Sequence, residues 1–298
     1  YEDDKYRPDA WRYRDWVVSS YNNDQPYDTF TVDQLAGDRR ADATYEAKAA
    51  TGFHRMTPSN EAGNPAVEEE YRVKTAKDRL NTTGTVWLGL TVGCAQCHSH
   101  KYDPLTQREY YQLYAFFNST IEINVDAPRL PEKYYEAYRK AKKEFKGHIN
   151  NTPEPPSAVA LTVAEGLDFR QTFVHVRGDF LQKGVNVAPK TPAFLPPIKV
   201  RERPQGEARA DRIPVVRDVD RLDLAHWIVD PQHPLPARVE VNRLWRHLFG
   251  HALVRTPEDF GVQGEPPTHP QLVDWLAAEF MERGWQRKAT IKLIVSSA

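Results

Sequence analysis

The sequence has few cysteines and methionines, no excess of charge of one sign and no long apolar run. It has two cysteines and two methionines among 298 residues, which is too few cysteines for a disulfide-rich scaffold. Its formal net charge of −1 lacks the excess of one sign that favours nucleic acid or an anionic membrane surface. The longest apolar run, 86–95, has about half of the ~20 residues that a membrane-spanning helix needs. We therefore predict a globular chain with no transmembrane segment and no nucleic-acid partner.

The two cysteines are separated by two residues and are followed directly by a histidine. This run, Cys94-Ala95-Gln96-Cys97-His98, is the attachment motif of a c-type haem. The spacing suits the chemistry, because two thiols about one turn apart can each form a thioether with a haem vinyl group. The histidine then supplies the axial nitrogen to the iron. The motif predicts one covalent haem c held by Cys94, Cys97 and His98.

Three other chemistries use a pair of cysteines with this spacing. A redox disulfide of the thioredoxin type lies at a strand-to-helix junction, whereas the segment before Cys94 is predicted to be helical. A zinc ion could take both thiolates together with His98 and His100, but ligands so close in sequence rarely complete a tetrahedron. The pair could also form a structural disulfide in an exported protein. Haem attachment remains the favoured interpretation, and the others stay open.

The sixth ligand of the iron would decide what the haem does. Candidates are His54 and Met56 in one loop, and His175 on a predicted strand. A histidine at this position lowers the reduction potential and a methionine raises it. A filled position favours electron transfer, whereas an open one exposes the iron to peroxide or substrate. Each candidate can equally be a packing residue, and the chain can also lack a sixth ligand altogether.

Arginines commonly pair with haem propionates through bidentate hydrogen bonds. Arg55 and Arg177 are the predicted partners, and Arg243 is a further candidate. His100 follows His98 by two positions, so on a helix it cannot face the same iron, and a loop-capping role is predicted. Several aromatic residues could pack the macrocycle or relay electrons, although most are expected in the core. These are Trp87, Tyr102, Tyr110, Tyr111 and Trp245.

Apolar periodicity predicts a mainly α protein with a small β insertion and the haem bound on a helical domain. Two segments, 158–164 and 171–177, alternate in the manner of strands, and 150–157 contains three prolines. We therefore predict a helical haem-binding domain at 1–150 and a second domain at 151–298, with a small sheet, helices and a truncated carboxyl end. The predicted helices are 10–22, 26–36, 67–80, 109–117, 131–149, 220–229, 238–249, 270–283 and 288 onward.

Several longer runs accompany the haem motif. They are WRYRDWVVSSYNNDQPYDTFTVDQLAGD (11–38), TGFHRMTPSNEAG (51–63), NTTGTVWLGLTVGCAQCHSHKYDPLTQREYYQLYAFF (81–117), VRGDFLQKG (176–184), TPAFLPP (191–197), NRLWRHLFGHALVRTPEDFG (242–261) and PPTHPQLVDWLAAEF (266–280). Together these runs resemble the planctomycete-type cytochrome c family, whose exported members carry two adjoining domains of unknown function. The resemblance implies a haem protein and covers most of the chain.

Members of that family extend beyond both ends of this sequence, so we expect it to be an internal piece of a longer exported precursor. Covalent haem attachment takes place outside the cytoplasmic membrane in most bacteria, which predicts a periplasmic, cell-surface or extracellular location. The predicted function is electron transfer to a redox partner protein or a neighbouring haem subunit, in a homo-oligomer or larger assembly. Two alternatives remain: a haem oxidoreductase or peroxidase-like enzyme acting on a carbohydrate or other substrate, and a module whose haem mainly stabilises the fold.

Overall fold

The computed structural model describes residues 7, 9–57, 65–127, 140, 159–166, 170–201 and 219–297, without the side chains of residues 65 and 66. Within these ranges the chain is mostly helical and has two small antiparallel sheets. The prediction of a mainly α protein with a small β part is therefore confirmed. Apart from Lys140, the predicted helix 131–149 lies outside the described residues, as does the proline-rich boundary at 150–157.

Apart from the helix Tyr45–Ala50, which was not predicted, the described helices agree with the predicted ones to within a few residues. In the described ranges they are α1 Trp11–Asn22, α2 Tyr27–Ala36, α3 Tyr45–Ala50, α4 Pro65–Thr83, α5 Gln107–Tyr114, α6 Arg221–Ile228, α7 Pro236–Phe249, α8 Pro270–Glu282 and α9 Arg287–Ser296. None of these described helices combines the length and the apolar character needed to cross a membrane.

Local signals fix where two of the helices begin. Thr106 caps α5, because its hydroxyl accepts from the backbone N–H of Glu109 while the Glu109 carboxylate accepts from the Thr106 N–H. Asp220 and Asp223 form the same reciprocal capping box at the start of α6. Each box satisfies backbone donors that a helix start otherwise leaves without partners. Both helices therefore begin at positions that their sequence specifies.

The polypeptide leaves α4 through a π-helical turn, Gly84–Leu88, and then reaches the cysteines through a 3-10 turn, Val92–Gln96. Gly89 lies between them with φ +58°, a left-handed conformation that favours glycine. A Cβ there would lie 2.8 Å from the Phe260 ring and 2.9 Å from the Val239 side chain. The predicted helix before Cys94 therefore ends at Leu88, and the cysteines lie on a tightly packed turn.

Each of the two sheets is a pair of antiparallel strands. Strands β1 (Thr120–Asp126) and β2 (Val159–Glu165) pair from Thr120↔Glu165 to Asp126↔Val159. Strands β3 (Thr172–His175) and β4 (Lys183–Val187) pair with an irregularity between Phe173 and His175. The predicted strands 158–164 and 171–177 are confirmed as β2 and β3. The β3–β4 hairpin, 172–187, packs on α5 and is the part of the sheet structure that reaches the cysteines.

One continuous apolar cluster joins the helices near the amino end to those near the carboxyl end. The Tyr27 and Phe280 rings lie 5.8 Å apart within it. At its edge the buried Arg287 guanidinium binds Glu240 at 2.8 Å and lies over the Tyr27 ring at 4.7 Å and the Phe30 ring at 4.5 Å. Cation–π contacts that are removed from water are worth up to about 2 kcal/mol each. The division into two domains stays a prediction.

A buried arginine makes a second connection between the two ends of the chain. Arg221 is fully buried and donates to the Leu35 carbonyl oxygen at 2.7 Å and to both carboxylate oxygens of Asp38 at 2.8 Å. Its Nε also donates to Glu165 Oε1 at 3.1 Å. Burial lowers the pKa of Arg221, but the two carboxylates raise it above its ordinary value. This cation therefore ties α2, β2 and α6 together.

Candidate cofactor site around Cys94 and Cys97

The predicted attachment residues are all exposed. Cys94 and Cys97 are free thiols at the surface, so they are not joined as a disulfide in this structure. His98 is also exposed, and its Nδ1 lies 2.7 Å from the Ser99 carbonyl oxygen. Because a carbonyl oxygen can only accept, Nδ1 carries the proton. The lone pair is then on Nε2, which leaves that nitrogen available as a metal ligand.

Helix α5 holds Gln96, one of the two residues between the cysteines. Gln107 Nε2 donates to the Gln96 carbonyl oxygen at 3.1 Å and to the His175 carbonyl oxygen at 3.1 Å. The Tyr111 hydroxyl donates to the same Gln96 oxygen at 2.9 Å. Two donors therefore fix the backbone between the thiols, and Gln107 also joins this turn to the end of β3.

The corner that follows β3 closes on the second thiol. Arg177 and Gly178 both have left-handed backbones, with φ +53° and +82°. A Cβ on Gly178 would lie 2.7 Å from the Cys97 sulfur, so any larger residue would require the sulfur or this corner to shift. The Lys77 ammonium donates to the Gly178 carbonyl oxygen at 2.9 Å, and burial lowers the pKa of Lys77. A non-glycine residue such as Arg177 in this conformation costs on the order of 1–3 kcal/mol, and such strain is concentrated at functional sites.

A loop from the carboxyl-terminal part of the chain, 256–264, holds both ends of the attachment segment. The Phe260 N–H donates to the Gly89 carbonyl oxygen at 2.7 Å, and the Val262 N–H donates to Asp103 Oδ1 at 2.7 Å. A Cβ on Gly261 would lie 2.6 Å from the Asp103 carboxylate oxygens. Residues 89 and 103 flank the cysteines, so this loop fixes the segment before and after them.

His100 has a structural role rather than a place beside His98. Its side chain is buried, and its Nδ1 accepts from the Asp103 N–H at 2.9 Å. This bond closes the turn at 100–105 and is the loop-capping role predicted for it. Within the described ranges, no group of three or more His, Cys, Asp or Glu side chains is placed to hold a metal ion. The four-ligand zinc site therefore has no support from the geometry, whereas a haem iron needs only one or two protein ligands.

The candidate sixth ligands His54 and Met56 lie in another environment. His54 is 1% exposed, packs between the Phe53 and Phe117 rings and donates from Nε2 to the Leu35 carbonyl oxygen at 3.0 Å. Burial lowers its pKa well below the ordinary value. Met56 is partly exposed. No described hydrogen bond or ring contact joins either residue to the attachment segment.

His175 is the predicted ligand that the structure brings against the attachment segment. The Gln107 side-chain amide donates to the His175 carbonyl oxygen as well as to that of Gln96. The His175 ring is 7% exposed and lies 4.7 Å from the Tyr111 ring and 5.8 Å from the Tyr114 ring. Burial lowers the pKa of His175 to about 4, so the ring is neutral at pH 7. Its Nδ1 is buried without a hydrogen-bond partner, which leaves a polar atom that the described fold does not satisfy.

The predicted propionate partners differ in whether their guanidinium groups already bind other groups of the protein. Arg55 binds Glu122 Oε2 at 2.9 Å and the Ile123 carbonyl oxygen at 2.9 Å, so its guanidinium is used within the fold. Arg243 donates to carbonyl oxygens of the π-helical turn and supports the approach to the cysteines. Arg177 is exposed and has no described hydrogen bond or ion pair.

Two family models match the chain on either side of its centre. One describes a protein of unknown function (DUF1549) with the short name PSCyt2 and matches residues 1–122. The other describes a protein of unknown function (DUF1553) with the short name PSD1 and matches residues 220–298. The chain belongs to the planctomycete-type cytochrome c family that carries these two adjoining domains. Searches of the curated proteins and of the solved structures found no match. Membership of this family assigns no cofactor or reaction, because both models describe domains of unknown function.

The two matched regions meet at the candidate site. The PSCyt2 region contains both cysteines and α5, and the PSD1 region contains the 256–264 loop. The sequence alone did not point to Gln107, Gly178 or Gly261 as residues that shape the site. An isolated glycine signals a close approach or a left-handed backbone, but it does not say which distant residue approaches.

Proposed function

We propose that this chain carries one haem c outside the cytoplasm and that its function is electron transfer. Cys94 and Cys97 would hold the haem through thioethers, and Nε2 of His98 would ligate the iron. The observation that carries the proposal is the pair of exposed free thiols beside a histidine whose Nδ1 proton is bound to the Ser99 carbonyl oxygen. When bound, the haem supplies one-electron chemistry at its iron.

The protein's own contribution is the placement of these three groups. The Gln107 and Tyr111 side chains fix the turn between the cysteines, and the hydrogen bond to Ser99 fixes the His98 tautomer. Residues around a ligand histidine that set its tautomer and orientation usually matter nearly as much as the ligand itself. These contacts would hold the three attachment groups in place for the haem.

The position of the attachment segment favours electron transfer over turnover of a substrate. An enzyme site is usually a concave pocket that surrounds its ligand. A cavity of about 440 Å³ is present, lined in part by Asp28, Arg40, Arg201 and His226, and none of the attachment residues lines it. Cys94, Cys97 and His98 instead lie at the surface, where an attached haem would be within reach of a partner's cofactor.

The direct test is to produce the chain in a bacterial periplasm together with the c-type cytochrome maturation machinery. We expect mass spectrometry to show the added mass of one haem, and the pyridine haemochrome spectrum to show two thioethers. Cys94→Ala combined with Cys97→Ala should abolish the covalent haem. His100→Gln is the matched control and should retain it. The proposal would be refuted if the wild-type chain purified from the periplasm had both sulfurs free or joined to each other.

We further expect His175 to be the sixth ligand, because Gln107 joins it to the attachment segment and its Nδ1 is buried without a partner. The His54 Nδ1 is also buried without a partner, but no described contact joins His54 to that segment. His175→Ala should convert the ferric haem from low spin to high spin and let the ferrous haem bind carbon monoxide. Absorption and electron paramagnetic resonance spectra measure this change. Met56→Leu should leave both spectra as they are in the wild type.

A second variant separates iron ligation from simple packing of the His175 ring. His175→Met should restore a low-spin haem and raise its midpoint potential, because a methionine ligand favours the ferrous state. If the alanine variant folds and keeps the wild-type low-spin spectrum, His175 is a packing residue and the sixth ligand lies elsewhere.

A further inference from the structure

The surface beside Cys97 is more basic than the chain as a whole. Residues 170–190 contain four basic side chains, Arg170, Arg177, Lys183 and Lys190, and one acidic side chain, Asp179. Their net charge is +3, whereas that of the whole chain is −1. All four basic side chains are exposed. The β3–β4 hairpin and the segment after it therefore present a local excess of positive charge.

The nearby acidic groups neutralise only part of this charge. Glu69 binds Arg170 at 3.3 Å. The hydrogen bond from Arg72 lowers the pKa of Glu69, and the charges of Arg170 and Lys183 help to lower it.

Asp179 accepts hydrogen bonds within its own turn, and Glu109 is occupied by the cap of α5 and by a backbone N–H. Burial raises the pKa of Glu109, but its hydrogen bonds and the charge of Lys190 bring it below the ordinary value. Among the described residues, Arg177 and the adjacent Arg108 on α5 have no ion pair. Unpaired cations on one face produce a positive potential that reaches several ångströms into solvent.

The same hairpin also exposes aliphatic side chains. Leu181 is 76% exposed, Val185 58% and Val176 42%. Together with Arg177 and Lys183 they form what we term the hairpin patch. Apolar groups with charged groups around them are the usual composition of a protein–protein interface. Such a surface also differs from an ordinary solvated face, on which large aliphatic side chains occur singly.

The hairpin patch borders the edge of the site at which a haem would be attached. The Gly178 backbone, next to Arg177, lies against the Cys97 sulfur. The vinyl groups of a haem, which become the thioethers, are at the opposite edge of the macrocycle from the propionates. Arg177 would therefore lie beside the thioether edge of an attached haem rather than beside its propionates. Its charge is better suited to an anionic group that comes from outside the chain.

We propose that the hairpin patch is the docking surface for an acidic redox protein, which exchanges electrons with the haem across its thioether edge. This inference rests on the proposed haem attachment. In the reducing direction, the partner's cofactor is oxidised by one electron and the ferric iron becomes ferrous, with no proton or atom transferred. Opposite charges would raise the rate of encounter and orient the partner.

The test uses the haem-loaded chain and a reduced plant-type [2Fe–2S] ferredoxin as the acidic probe. Stopped-flow absorption of the haem gives the second-order rate constant for its reduction. We expect this constant to fall at least 10-fold between about 20 mM and 500 mM salt. Arg177→Glu combined with Lys183→Glu should lower it about 10-fold at low salt and remove most of the salt dependence. Lys292→Glu, an exposed charge reversal on α9, is the matched control and should behave as the wild type.

Two further measurements separate this proposal from the haem proposal. A small neutral flavin reductant should reduce the haem equally fast in all three proteins, because it needs no docking surface. Binding of oxidised ferredoxin, followed by thermophoresis, does not require a haem in this chain. If the chain carries no haem but still binds the probe through Arg177 and Lys183, the electron-transfer proposal is refuted and the docking surface stands. Equal rate constants and equal affinities for the wild type and the double variant would overturn the docking surface.

Two other outcomes would also overturn it. Binding of a sulfated polysaccharide through Arg177 and Lys183, with no binding of ferredoxin, would show that the hairpin patch recognises glycan polyanions. Concentration-dependent self-association in sedimentation experiments, abolished by the double charge reversal, would show that the hairpin patch is occupied by a second copy of the chain.

Discussion

Arg221→Ala is expected to lower the free energy of unfolding by about 3–5 kcal/mol, the usual effect of removing one partner from a buried ion pair. The guanidinium is fully buried and neutralises both Asp38 and Glu165. It also satisfies the Leu35 carbonyl oxygen at the end of α2. Its removal leaves the Asp38 carboxylate in a poorly hydrated space without the guanidinium. It also takes one donor each from Glu165 and from the Leu35 carbonyl oxygen, which keep the Thr120 hydroxyl and the His54 Nε2, respectively. Urea denaturation followed by circular dichroism measures the loss.

Arg14→Ala is the matched control, because Arg14 pairs with Asp15 on an exposed part of α1. Exposed pairs contribute about 0–1 kcal/mol, so this variant should unfold at nearly the wild-type urea concentration. Arg221→Lys should recover only part of the lost stability, because a lysine cannot form the bidentate contact with Asp38. A loss below about 1 kcal/mol for Arg221→Ala, as at an exposed pair, would show that the carboxylates find other partners.

Gly178→Ala is expected to reduce covalent haem occupancy several-fold. The added Cβ would lie 2.7 Å from the Cys97 sulfur, so the sulfur or the β3–β4 corner must shift. A displaced thiol no longer keeps the spacing that both thioethers require. The left-handed backbone at φ +82° adds a conformational cost of roughly 1–2 kcal/mol. Haem stain intensity per unit protein, together with intact mass, measures occupancy.

Gly250→Ala separates the backbone cost from the contact with the sulfur. Gly250 has a similar φ of +78°, but a Cβ there would meet nothing within 4 Å. The Gly250→Ala variant should therefore lose an amount of stability comparable to that lost by Gly178→Ala, and it should keep full haem occupancy. Equal occupancy in the two alanine variants would show that the approach of Gly178 to Cys97 does not matter for attachment.

The helices were predictable because their signals are local. Apolar spacing indicates α1 and α8, and the caps at Thr106 and Asp220 specify where two helices begin. The strands β1 and β4 were not predicted. Each is short and exposed along much of its length, so its alternation is weak until a partner strand pairs with it. The π-helical turn at Gly84–Leu88 was missed for a similar reason, because the contacts that hold it come from the distant Arg243.

The candidate site shows the same division between local and distant information. Cys94, Cys97 and His98 are contiguous, so their pattern can be recognised without a structure. The sequence does not reveal that His54 donates to Leu35 or that Arg55 binds Glu122. Both residue types are plausible beside a haem, and only the tertiary contacts show that these two are engaged elsewhere.

The contacts between the 256–264 loop and Asp103 have a consequence for how the protein is made. About 160 residues separate His98 from Val262. A nascent chain emerges amino end first at about 5–20 residues per second, so the cysteines exist for roughly 8–30 s before the loop that later closes over their flanks. During that interval the segment around the cysteines lacks the restraint that the loop supplies at residues 89 and 103. The attachment segment therefore reaches its final packing only after the carboxyl-terminal part of the chain has been made.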